Sequence, residues 1–122
     1  MIKITLPLPP NRGNQSRGEA KWEWARKRKY IEGTKRSVGA RTLARSQMIG
    51  TDLPLGHTVA HFHFYLGNLM DDDNLMSRCK WPLDALVKAG ILVDDKRPHC
   101  KVVTEQSVDR KNKRVEIRLE EI

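Results

Sequence analysis

The chain has 122 residues, 39% of them hydrophobic and 31% charged, which suits one domain with a modest core over residues 1–122 rather than two. Its 23 Lys and Arg outweigh 15 Asp and Glu for a net charge of +8, so the expected partner is a polyanion such as nucleic acid; the ordinary alternative is a solvated basic surface. No continuous apolar run follows Met1, so neither a signal peptide nor a membrane span is expected, and Cys79 and Cys100 form no CxxC unit, which fits a reducing cytoplasm.

Ile2, Ile4 and Leu6 alternate with Lys3 and Thr5, the period of a half-buried strand, and Pro7, Pro9 and Pro10 end it by removing amide donors. A polar loop with Arg12 and Arg17 follows. From Glu19 to Arg36 the chain is dense in charge, with Trp22, Trp24 and Tyr30 set among bases that include Arg26, Arg28 and Lys29. Two readings stand side by side: an arm that tracks phosphates and offers aromatic faces, or a solvated helix whose aromatics anchor it to the core. Ala40, Leu43, Ala44, Gln47 and Met48 have the spacing of a short amphipathic helix with Arg41 and Arg45 outward. Thr58 to Leu66 reads as a strand, with Ala60, Phe62, Phe64 and Leu66 on one side and Val59, His61, His63 and Tyr65 on the other. His61 and His63 could form a same-side metal pair, but such histidines more often occupy the wetter face of a sheet.

A helix is expected over 74–89, with Leu75, Met76, Cys79, Leu83, Leu86 and Val87 on a core face. Asp73, Ser77, Lys80, Asp84 and Lys88 line the opposite face; Asp73 is at or just before the N-cap, Gly90 is the stop and Pro82 is a mid-helix kink. Lys101 to Val108 is expected to pair with the alternating strand around Val115, Ile117 and Leu119 through the polar turn at 109–113. The order predicts a mixed α+β domain, one mixed sheet packed against helices.

An acidic knot in a basic chain needs a reason. Asp71 and Asp73 are two apart, so an extended segment points them the same way, and Asp94-Asp95 follows the helix where the chain could return toward them. Hard carboxylate oxygens suit Mg²⁺, whereas the spacing is a poor fit to an EF-hand. The alternative is that Asp71 to Asp73 complements a helix dipole and Asp94-Asp95 is a turn.

Several stretches, in order across almost the whole length, go further. Asp71-Asp72-Asp73-Asn74-Leu75 resembles the D-x-D-N-L motif of the RusA family of Holliday-junction resolvases, small endodeoxyribonucleases often carried by phages and prophages. Leu83 to Gly90 is similar to that family's D-A-L-x-x-A-G helix end, Val93-Asp94-Asp95 to its D-D, and Ile4 to Pro10 to its first strand and proline turn. The resemblance implies a homodimer of RusA-like fold, cytoplasmic and bacterial or phage-encoded, that cuts four-way or branched DNA with Mg²⁺ (or Mn²⁺) and no organic cofactor. It places metal ligands at Asp71, Asp73 and Asp95, with Asp94 the weaker member of its pair. The family's lysine position falls on Ser77, a departure; Lys80, on the same expected helix face, takes the lysine's part, ahead of Arg78. The DNA contacts expected are Arg12, Arg17, Arg26, Arg28, Lys29, Arg78, Lys80, Lys96 and Arg97. A rival reading is a junction- or DNA-binding module of the same fold without catalysis, and another is a nuclease for other branched DNA.

Overall fold

The computed structural model describes residues 2–10, 20–93 and 100–122, with the side chains of residues 20–23 outside that description. Four strands and four helices follow in the order β1 (Ile2–Leu6), α1 (Ala20–Glu32), α2 (Ala40–Ser46), β2 (Thr58–Leu66), α3 (Asp72–Arg78), α4 (Lys80–Lys88), β3 (Cys100–Val108) and β4 (Arg114–Glu121) among the described residues. The strands make one mixed sheet in the order β1-β4-β2-β3. β2 is central, antiparallel to β4 and parallel to β3, and the α3–α4 pair lies in the crossover between those parallel strands.

The helices cover one face. Ile4, Leu6, Ala60, Phe62, Phe64, Val115, Ile117 and Leu119 are buried against Ile31, Ala44, Leu75, Leu83 and Leu86. The strand alternations expected for Ile2–Leu6, Thr58–Leu66 and the last strand are therefore correct, as is the mixed α+β class. Among the described residues no helix is long and apolar enough to cross a membrane.

One pairing differs from expectation. β3 and β4 are not partners: β2 lies between them, with Phe62 opposite Thr104 on one side and Ile117 on the other. The connecting residues wrap over the end of β2, where Asp109 N–H donates to Leu66 O at 2.8 Å and Arg110 Nε to Gly67 O at 3.1 Å. Two strand spacings are about 10 Å, a gap that this polar turn can cross, so its composition alone does not make a hairpin.

The helix expected over 74–89 is also divided. Pro82 has no N–H for the carbonyl of Arg78, four residues back, and its ring crowds that oxygen; α3 ends at Arg78. Cys79 between the helices keeps right-handed helical dihedrals, and Leu75, Cys79, Leu83 and Leu86 still form one buried row, but Met76 is exposed. Pro82 then occupies the first turn of α4, where a donor is not needed. Gly90 ends that helix as expected, at φ +76°. Gly90 N–H donates to Val87 O and Ile91 N–H to Leu86 O, both at 3.0 Å, the paired bonds of a glycine-terminated helix.

Candidate functional site

The acidic stretch is a helix start rather than an extended segment, so the two-residue alternation proposed for it does not apply. Asp71, not Asp73, is the N-cap: its backbone is extended (φ −71°, ψ 164°) and its Oδ1 accepts the Asn74 N–H at 2.9 Å. Asp72 and Asp73 occupy the first turn of α3, and all three aspartates are exposed. The positive end of a helix favours such carboxylates, so local electrostatics accounts for part of the cluster.

Two distant elements fix this turn. Gln106, on the helix-facing row of β3, grips the peptide of Met70 from both sides: Met70 N–H donates to Gln106 Oε1 at 2.9 Å, and Gln106 Nε2 donates to Met70 O at 2.7 Å. On the other side, Arg78 turns inward, its guanidinium donating to Pro9 O at 2.8 Å. Its Nε is buried without a hydrogen-bond partner, and burial lowers the pKa of the group. Tyr30 of α1 donates its hydroxyl to Pro7 O at 2.8 Å; burial, only partly countered by the charge of Arg78, raises its pKa. Prolines offer carbonyls but no amide donors, so side-chain donors are what can hold this turn.

Lys80, the first residue of α4, is exposed, as is Asp73 in the first turn of α3. Asp84 of α4 forms an ion pair with Lys27 of α1. Arg26, Arg28 and Lys29 are exposed on α1, with the Arg28 guanidinium 5.6 Å from the Trp24 ring centre. α1 is not a loose arm: Ile31 is buried and Tyr30 packs 6.2 Å from Trp81, while Trp24 stays exposed. Tyr30 thus anchors α1 to the core, as one of the two readings has it, whereas Trp24 does not. Asp94, Asp95, Arg12, Arg17, Lys96 and Arg97 lie outside the described residues, as does the Trp22 side chain.

Among the described residues no group of three or more His, Cys, Asp or Glu stands close enough to hold a metal ion. Asp71 and Asp73 supply hard, solvent-facing oxygens of the type that suits Mg²⁺, and a third carboxylate would have to come from elsewhere in the chain. His61 and His63 lie on the open sheet face, facing Glu120 at 3.8 Å and Glu105 at 3.4 Å. His63 Nε2 also bonds Ser107 Oγ at 2.7 Å. Both cysteines are buried and are not joined in a disulfide; burial pushes the Cys79 thiol up to about 12, so Cys79 is an inert packing group.

Gln106 escaped the sequence reading. The available signal was a long polar amide in register with Phe64, on the inward row of a strand, where a polar group must find a partner. The chain matches no protein-family model and no curated protein.

Proposed function

We propose that this protein is a Mg²⁺-dependent, structure-selective endodeoxyribonuclease that resolves four-way DNA junctions by symmetric cleavage as a homodimer. The observation that carries the reading is the exposed Asp71–Asp73 turn, held on both sides by Gln106 and Arg78 in a chain of net charge +8. Carboxylates set on a fixed turn suit metal chemistry, because a loose site loses its geometry. The ordered run of motifs resembling the RusA family adds the substrate class.

Asp71, Asp73 and Asp95 would hold the ion, which when bound orients water and offsets charge at the scissile phosphate. Lys80 adds positive charge near the phosphate or leaving oxygen. Exposed Arg26, Arg28 and Lys29 contribute backbone affinity with little sequence reading. A two-fold dimer presents two equivalent sites to a junction whose own symmetry is approximately two-fold.

The test is cleavage of a synthetic four-way junction. Wild type with Mg²⁺ is expected to cut two like strands in preference to linear duplex. Asp73→Asn should abolish cutting with binding retained, and should weaken Mg²⁺ uptake in calorimetry. Cutting that survives the Asp71→Asn/Asp73→Asn double substitution overturns the assignment. A further comparison isolates the lysine: Lys80→Ala should slow cleavage well beyond Ser77→Ala. Tight metal-independent junction binding with no product would instead identify a catalytically silent module, the reading favoured by serine at position 77.

A further inference from the structure

At the far end of the α3–α4 run from the aspartates, two clefts adjoin. One, of about 390 Å³, lies between α1 and α4 and is lined by Trp24, Lys27, Arg28, Ile31, Glu32 and Lys88. The other, of about 460 Å³, lies between α2 and α4, with Arg41, Arg45 and Lys88 among its walls. Lys88 is common to both, and the Glu32–Arg41 pair, at 3.3 Å and well exposed, spans α1 and α2 between them. We infer that these clefts form one furrow that binds a single strand of nucleic acid, its cations following successive phosphates and Trp24 stacking on a base.

Charge argues first. Lys27, Arg28, Lys88, Arg41 and Arg45 line the clefts; Asp84 pairs with Lys27 and Glu32 with Arg41, which leaves Arg28, Lys88 and Arg45 as the excess of positive charge. They are spread along the furrow rather than converging on one point, which fits a chain of phosphates better than one small anion. Lys88 makes no ion pair or hydrogen bond to another described residue, so its charge is uncommitted. The carbonyls at the end of α4 do not oppose an anion strongly. They are occupied by the Ala89, Gly90 and Ile91 amides, and Ala89 O accepts from Arg45 Nη1 at 3.2 Å.

The aromatic decides between single strand and duplex. Trp24 is 64% exposed in a helix whose next aromatic, Tyr30, is packed inward. An indole kept in solvent beside Arg28 matches the stacking platforms of proteins that bind unpaired strands, and paired bases in a duplex cannot reach it. None of this depends on cleavage or on a metal.

Fluorescence anisotropy in EDTA tests the inference, using the full chain, a labelled oligothymidylate and a duplex of equal length. The single strand should bind tighter. Trp24→Ala should weaken it about tenfold and leave the duplex unchanged. Lys88→Gln should reduce the slope of log affinity against log salt by about 0.7, and Lys88→Gln/Arg41→Gln by about twice that. Unchanged affinity and slope in the double variant overturn the inference, as does a duplex bound as tightly as the single strand. Competition by polyglutamate as effective as by unlabelled oligonucleotide would also overturn it, by showing an acidic-peptide surface. Because EDTA removes the metal, these results are independent of junction cleavage.

Discussion

A single methyl group at Gly39 would run into the backbone of residues 31–33. A Cβ there would lie 2.3 Å from Ile31 O and 2.4 Å from both Glu32 C and Gly33 N, atoms that cannot rotate away. Gly39→Ala should therefore cost about 1–3 kcal/mol of stability in urea unfolding, because the α1–α2 connection must spread to admit it. Asp71 allows a finer separation. Its side chain caps α3, and Asn caps equally well whereas Ala does not, so Asp71→Ala should lose about 0.5–2 kcal/mol and Asp71→Asn almost nothing. A cleavage defect in the stable Asn variant would then belong to chemistry and not to the fold. Cys79 presents the opposite case, a buried thiol held protonated and bonded to Leu75 O at 3.6 Å, with nothing to offer a ligand.

At the level of elements, a glutamine does the work of a missing strand neighbour. Gln47, just past α2, accepts from Thr5 N–H at 2.8 Å and donates to Thr5 O at 2.9 Å, satisfying the outer edge of β1. Gln47→Ala should cost about 1 kcal/mol and speed hydrogen exchange at the Thr5 amide while that of Ile4 changes less. The spacing put Gln47 and Met48 in the short helix, which instead ends at Ser46 with Gln47 as its C-cap; the bond of Gln47 to a residue 42 positions away has no local signal. The same distinction explains what could be read elsewhere. Alternation in Thr58–Leu66 specified the buried row, and Gly90 specified a helix end, because each depends on neighbouring residues. The separation of β3 from β4 by β2, the inward turn of Arg78 and the Gln106 clamp depend on contacts between distant segments. Asp71 and Asp73 were legible as an acidic turn, but their capping geometry required knowing where α3 begins.

Across the whole molecule, charge is arranged differently on the two faces of the sheet. The open face carries Lys3, Glu116, Arg114 and Asp109 in one chain of ion pairs, from Lys3–Glu116 at 2.5 Å to Arg114–Asp109 at 3.2 Å. Arg114 also lies 3.8 Å from the Tyr65 ring centre, and Tyr65 stacks on His63. The Lys3 hydrogen bond, aided by Arg114, holds the Glu116 carboxyl below its ordinary range; the Asn112 amide, with Arg114 and Lys111, does the same for Asp109. Groups depressed in the folded state bind protons more readily when unfolded, so their stabilisation is complete above the ordinary carboxylate pKa and disappears as pH falls through the lowered one. Thermal midpoints of wild type and Glu116→Gln should therefore differ at neutral pH and converge as the pH drops below the ordinary glutamate value of 4.5. A constant difference across that range would rule out the linkage.

The strand order also has a consequence for the sequence of events at the ribosome. β1 leaves the ribosome before the other three described strands, yet its neighbour in the sheet is β4, with Ile4 opposite Ile117. Until residues 114–121 emerge, the first strand has no partner, and the Phe62–Phe64 side of β2 has no neighbour on that edge. The sheet is thus completed by the last of its four described strands, and so long a wait favours slow, all-or-none closure. Release of a chain ending at residue 113 should yield no cooperative thermal transition, although it retains all four described helices and most of the described core residues.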